Sequence, residues 1–232
     1  SRVLNEKLNL NNQICGLRKG EDTCKFTYIS KDKNNLQIGI AKATKHGSPV
    51  SGDTSIQTKL NDGKYLIAIS DGMGSGPEAS RESGLAVGLI EKFIENGFSE
   101  KTAIDTVNSI MAMKFNEDEK FTTMDLNIVD LYTGEAEFIK VGGVVSFIKR
   151  GEDIKVIKSN SLPFGILDAV DLTTEKFKLK HGDIIVSISD GVLDIDKNNI
   201  GSYSWLEEYL QYADTNPSAL SRDILEKAMV LT

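Results

Sequence analysis

A chain of 232 residues with 40% hydrophobic residues can bury one sizeable core, and its formal charge of −7 argues against nucleic acid or an anionic membrane as a partner. Two cysteines, Cys15 and Cys24, exclude a multi-disulfide secreted framework, and with only His46 and His181 present a zinc site of His/Cys type is disfavoured. No apolar run reaches bilayer length, so no direct membrane contact is expected from this chain, and its start at Ser1-Arg2 without Met reads as a piece excised from something longer.

The first 24 residues are polar and Asn-rich, with weak helical spacing at Val3, Leu4 and Leu8, and are expected to be a linker or the helical remnant of an upstream region. Residues 25–232 read as one domain. Lys25–Ser30 and Gln37–Thr44 read as strands, and Ser55–Leu60 with Lys64–Ser70 as a hairpin turned by Asp62-Gly63. Pro77 fits a first helical position and Gly97 the residue past the end, with Leu85, Leu89, Ile90, Phe93 and Ile94 at helical spacing between them. Ser99 caps a second helix with an apolar stripe at Ala103, Ile104, Val107, Ile110 and Met111. The period then changes to two. Thr122–Asp130, Glu137–Val141, Val145–Lys149, Ile154–Lys158, Phe177–Leu179 and Asp183–Ser189 read as strands, the last two flanking a turn at Lys180–Gly182. Pro217–Val230 reads as a helix. Strands, two helices and more strands predict α+β with antiparallel sheets.

One local arrangement occurs twice. An apolar strand ends in Ser70-Asp71-Gly72, and another in Ser189-Asp190-Gly191. If the two strand ends lie side by side, two carboxylates converge, and their repulsion calls for a shared proton or a cation. Oxygen ligands without His or Cys select Mg²⁺, Mn²⁺ or Ca²⁺. Asp-Gly after a strand is ordinarily a turn, as at Asp62-Gly63. Asp71-Gly72 departs from that pattern, because Met73-Gly74-Ser75-Gly76-Pro77 and a helix follow. Exposed amides beside a helix N-terminus suit a phosphate, which makes Gly74, Ser75 and Gly76 candidate phosphate-binding residues. A dinucleotide loop is disfavoured by Pro77 where a third glycine would stand, and no Gly-Lys-Ser/Thr exists for a P-loop. Asp53, after Val50-Ser51-Gly52, reads on its own as a turn residue.

In order along the chain stand Ser51-Gly52-Asp53, Ile69-Ser70-Asp71-Gly72-Met73-Gly74-Ser75-Gly76, Thr123-Met124-Asp125-Leu126, Lys140-Val141-Gly142, Leu162-Pro163-Phe164-Gly165-Ile166 and Ser189-Asp190-Gly191-Val192. Over roughly residues 45–230 this series resembles the PPM, or PP2C-like, phosphatase family, and within it the bacterial sporulation phosphatases. The resemblance implies two antiparallel sheets packed face to face with helices outside, and two divalent metal ions, Mn²⁺ or Mg²⁺, at one edge between the sheets. By position Asp71 would bridge the ions, Asp53 and the Gly72 carbonyl would complete one site and Asp190 the other. Asp71 and Asp190 are thereby the candidate catalytic residues. The reaction implied is hydrolysis of a phosphoserine by metal-activated water, with no protein nucleophile.

By the same resemblance the substrate is a phosphorylated anti-sigma-factor antagonist, whose dephosphorylation activates a sigma factor in sporulation. The domain would be cytoplasmic, as part of a larger membrane protein, with a homo-oligomer possible. One departure is visible. The family's final strand carries a further metal-binding Asp, and the sequence stops at Thr232 before such a strand, so weak metal binding and turnover are expected of it. The alternative reading is a phosphatase-like binding module with weak or lost catalysis. The two helices after Gly76 join the Asp71 loop directly, so a shift in them would move a metal ligand.

Overall fold

The computed structural model of the chain describes residues 7–15, 23–44, 50–115, 121–143, 145–167, 172–193 and 203–231. Among these, ten strands form three antiparallel sheets. Strands β1 (Leu8–Cys15) and β2 (Cys24–Ser30) pair only with each other. The five-stranded sheet runs β3 (Asp53–Lys59), β4 (Lys64–Asp71), β5 (Met124–Asp130), β6 (Glu135–Val141), β9 (Thr173–Lys178). The three-stranded sheet runs β10 (Ile184–Ser187), β7 (Val145–Arg150), β8 (Asp153–Lys158).

The two larger sheets face each other, with helices on the outside, and period-two alternation explains why β5 is buried on both sides. Met124, Leu126 and Ile128 join one core with Ala86, Ile90, Ile104 and Met111 of helices α1 (Pro77–Glu95) and α2 (Glu100–Phe115). Val129 joins a second core between the sheets, with Phe138, Ile148 and Ile157. On the far side of the smaller sheet, Val145, Phe147 and Val186 pack on Leu206, Leu210, Leu220 and Ile224 of helices α3 (Ser204–Tyr212) and α4 (Pro217–Leu231). This is the four-layer arrangement that the resemblance implies.

Local sequence explains the helix ends. Pro77 opens α1 after Gly76, and Gly97 at φ 86° lets Gly97 N–H donate to Ile94 and Phe98 N–H to Phe93, at 2.9 and 3.1 Å. The Phe93 and Phe98 rings then meet edge to face at 5.3 Å. Ser99 Oγ accepts the Thr102 amide at 3.1 Å and caps α2. The buried Lys149 ammonium closes α3, donating to the carbonyls of Leu210, Gln211 and Gly151 at 2.6, 2.9 and 2.7 Å.

Two expectations are corrected. The chain over Leu8–Cys15 is a strand rather than the end of a helical remnant, since pairing with β2 outweighs weak spacing; Val3 and Leu4 lie outside the described residues. Gln37–Thr44 forms no strand and runs as an irregular segment. The expected turn at Lys180–Gly182 is present, and because β9 pairs with β6 and β10 with β7 it passes the chain from one sheet to the other. Helix α3 was not expected, since its buried stripe is only Leu206 and Leu210.

Candidate metal centre

Asp53 opens β3 and Asp71 closes β4, and the two are direct cross-strand partners. Alternation puts both on the inner face. Leu66 and Ala68 face the helices, whereas Tyr65 packs between the sheets, and Asp71 shares its parity. Asp190 follows β10 of the opposite sheet and begins a short 3₁₀ turn, Asp190–Val192. Strand ends from both sheets therefore meet at one edge.

The carboxyl of Asp71 records that meeting. Its pKa is pushed up to about 9, first by burial, then by a hydrogen bond to Asp190 and that group's charge, then by a hydrogen bond to Asp53 and its charge. Among the described residues no three His, Cys, Asp or Glu side chains already enclose a common point. The carboxylates associate instead through Asp71, whose raised pKa favours the protonated carboxyl between two neighbours. A divalent cation would take that proton's place, and an all-oxygen donor set suits Mg²⁺ or Mn²⁺. The backbone is close-packed beside these groups: a Cβ on Gly52 would lie 3.0 Å from the Gly74 carbonyl oxygen and 3.4 Å from that of Gly72, so both carbonyls lie against the start of β3. The donor chemistry, three carboxylates with neighbouring carbonyls and no His or Cys, is that of an oxygen-ligated divalent cation.

Neighbouring groups hold the Asp71 backbone. Thr122 Oγ1 and the Thr123 amide both donate to the Asp71 carbonyl, at 2.6 and 2.9 Å, and Ser70 Oγ donates to the Thr123 carbonyl at 2.7 Å. Phe164, fully buried, donates its amide to Thr122, and Asn108 of α2 accepts the Gly165 amide at 3.1 Å. Gly142, at φ 88°, approaches Thr123 so closely that a Cβ would lie 2.7 Å from its methyl. The Thr-Met-Asp, Lys-Val-Gly and Leu-Pro-Phe-Gly segments thus back the Asp71 loop.

The Gly74–Gly76 loop joins Gly72 to the start of α1. Gly74 and Ser75 are exposed, Gly76 is buried, and both glycines have positive φ, 90° and 94°. Gly72 is constrained by space. A Cβ there would lie 2.3 Å from the Ala79 carbonyl oxygen, against helix backbone that cannot swing aside. Gly72→Ala should therefore cost about 1–3 kcal/mol, the usual price of overpacking, and lower activity by shifting the loop. A denaturant midpoint equal to that of the unsubstituted chain would contradict this.

Sequence reasoning did not find three contacts at the site. Ser189 Oγ donates to Asp53 Oδ2 at 2.7 Å, across the gap between the sheets. Lys42 Nζ donates to the Asp53 carbonyl at 2.6 Å. Ser83 of α1 donates to the Gly52 carbonyl at 2.6 Å. The Ser-Asp-Gly repeat was the available signal for Ser189, but Ser70, its counterpart, turns to Thr122 and Thr123 instead. Nothing in the order of residues marks Lys42.

The sequence model of the family described as Stage II sporulation protein E (SpoIIE) matches residues 61–231. Stage II sporulation protein E of Bacillus subtilis (strain 168) is 38% identical over 197 residues, which are 85% of this chain and 24% of that protein; the chain thus spans about a quarter of that relative's length. The solved structure of the PP2C phosphatase domain and a fragment of the regulatory domain of SpoIIE from Bacillus subtilis superposes with a TM-score of 0.82 at 32% identity, covering 99% of this chain and 68% of that one. RsbX, solved in complex with magnesium, shares the fold at 16% identity and a TM-score of 0.59, over 82% of this chain and 84% of its own. The chain belongs to the SpoIIE family and comprises its PP2C-type protein serine/threonine phosphatase domain.

Proposed function

We propose that this domain removes phosphate from a phosphoserine in a protein, with Asp53, Asp71, Asp190 and the Gly72 carbonyl holding two divalent ions, Mn²⁺ or Mg²⁺. The observation that carries the reading is the convergence on Asp71 of two further carboxylates from opposite sheets; burial first, and then these two neighbours, push its pKa up to about 9. Such ions, when bound, offset phosphoryl charge and make water a nucleophile near neutral pH. Asp71 lies between the other two carboxylates and belongs to both halves of the site. Asp53 is steadied by Ser189, and its backbone by Lys42. The amides of Gly74, Ser75 and Gly76, beside the N-terminus of α1, would bind phosphoryl oxygens.

By the family's chemistry the substrate is a phosphorylated anti-sigma-factor antagonist, and its dephosphorylation frees a sigma factor during sporulation. Within a longer protein the domain would be cytoplasmic and attached to a membrane-spanning part. Among the described residues no helix is long and apolar enough to cross a membrane.

The test is Mn²⁺-dependent phosphate release from a phosphoserine protein, comparing the chain with Asp53→Ala and Asp190→Ala. Each variant should lose more than ~100-fold in rate, beyond the loss typical of an outer partner of a metal ligand. Full activity in both variants would remove these residues from the site. A folded chain that binds the phosphoprotein without releasing phosphate, under either metal, would make it a binding module.

A further inference from the structure

Asp190 hangs from a weakly anchored element. Among the described residues β10 has four residues, sits at the edge of its sheet and pairs with β7 alone. Its alternation is regular. Ile184, Val186 and Ile188 turn outward to the core under α3 and α4, and Ile185 turns inward between the sheets. Ser187 and Ser189 have the parity of Ile185, so two hydroxyls follow it on the inner face.

Each hydroxyl has a partner linked to the opposite sheet. Ser187 Oγ accepts from Asn127 Nδ2 of β5 at 2.9 Å and lies 3.1 Å from Ser146 Oγ of β7. Ser146 in turn donates to Asp125 of β5, whose other oxygen accepts from Lys140 Nζ of β6 at 2.8 Å. Lys140 and Asp125 are fully buried. One residue beyond Ile188, Ser189 donates directly to Asp53.

We propose that Ser187 and Ser189 are positioning residues that set Asp190 at its working separation from Asp53 and Asp71. This rests on the reading of those three carboxylates as metal ligands. Apolar contacts fix the spacing of two sheets but carry no direction, whereas hydrogen bonds fix both distance and angle. Asp190 itself is exposed, so packing does not hold it. The buried Asn127 carries a sign of what the network demands. Its amide nitrogen donates to Ser187 and, at 3.3 Å, to Asp125, while its buried Oδ1 has no partner. Leaving a buried oxygen unpaired is costly, and the amide is held in that orientation by the serine and the ion pair.

The experiment is calorimetric Mn²⁺ binding to the metal-stripped chain, with thermal melts of each variant without metal. Ser187→Ala combined with Ser189→Ala should weaken Mn²⁺ binding about tenfold or more, as losses of groups that orient metal ligands do. Ser187→Thr with Ser189→Thr, which keeps both hydroxyls on a strand-compatible side chain, should restore most of the affinity. Lys149→Met, which removes the α3 cap and none of the network's hydrogen bonds, serves as the control for stability and should lower the melting temperature without changing affinity. Equal Mn²⁺ affinity in the alanine pair and the unsubstituted chain would overturn the proposal. So would a Lys149→Met loss of affinity as large as that of the alanine pair, because general loosening would then explain both. Absence of Mn²⁺ binding by the unsubstituted chain would overturn the metal reading itself, and the positioning role with it.

Discussion

Asp71→Asn is expected to abolish Mn²⁺-dependent dephosphorylation while leaving the metal-free fold at least as stable as before. The reason lies in the protonation state. With its pKa pushed to about 9, Asp71 is neutral in the metal-free chain at pH 7, and asparagine reproduces its size without its titration. In the unfolded chain Asp71 titrates near its ordinary 3.8, so between about pH 4 and 9 the folded state holds the extra proton. Stability of the metal-free chain therefore falls as pH rises through that window, and the asparagine variant should lose this dependence. Mn²⁺ acts in the opposite direction. It binds the ionised carboxylate, releases the proton and raises the melting temperature of the unsubstituted chain only. Thermal melts from pH 5 to 9, with and without Mn²⁺, check both halves. A variant that keeps Mn²⁺-dependent stabilisation would show that Asp71 is dispensable for binding.

The second large effect concerns stability. Lys140→Met should destabilise the fold by about 3–5 kcal/mol, because it leaves the Asp125 carboxylate buried without its cation. Against a typical total of about 5–15 kcal/mol, that loss approaches unfolding. Lys140→Met combined with Asp125→Leu should recover much of it, since the uncompensated charge is gone and Ser146 and Asn127 retain Ser187 as a partner. Denaturant unfolding of the two variants decides the matter. A single-variant loss below about 1 kcal/mol would mean that water or a rearranged side chain compensates the carboxylate.

The residues around Asp71 were legible because their signals are local. An apolar strand, Asp-Gly, a glycine loop and Pro77 before a helix describe one stretch of backbone, and the structure has that stretch. The second Ser-Asp-Gly was legible for the same reason. Its meeting with the first depends on packing between distant segments, so the residues alone offered it only as a condition, and the family likeness made it an expectation. Sheet membership was the least legible property. Thr173–Lys178 alternates apolar or small with charged residues weakly, and nothing nearby says that it pairs with β6 rather than with β10. β1 was missed because Leu8, Leu10 and Ile14 are separated by asparagines, and its side chains are largely exposed or half-exposed, so burial left little pattern to read. Asp125 and Lys140 stood in recognised motifs, but their ion pair depends on β5–β6 register, in which they are direct partners.

The contact between Gly72 and Ala79 has a mechanical consequence. Two stretches of backbone touch there with no side chain between them, so no rotamer can absorb a displacement. Side-chain interfaces act as cushions, and a push on one face is partly lost in χ-angle changes before it reaches the other. Here the first turn of α1 and the carbonyl beside Asp71 form a stiff joint. A displacement of the first turn of α1 meets the Gly72 backbone directly, with no side chain between them to yield first.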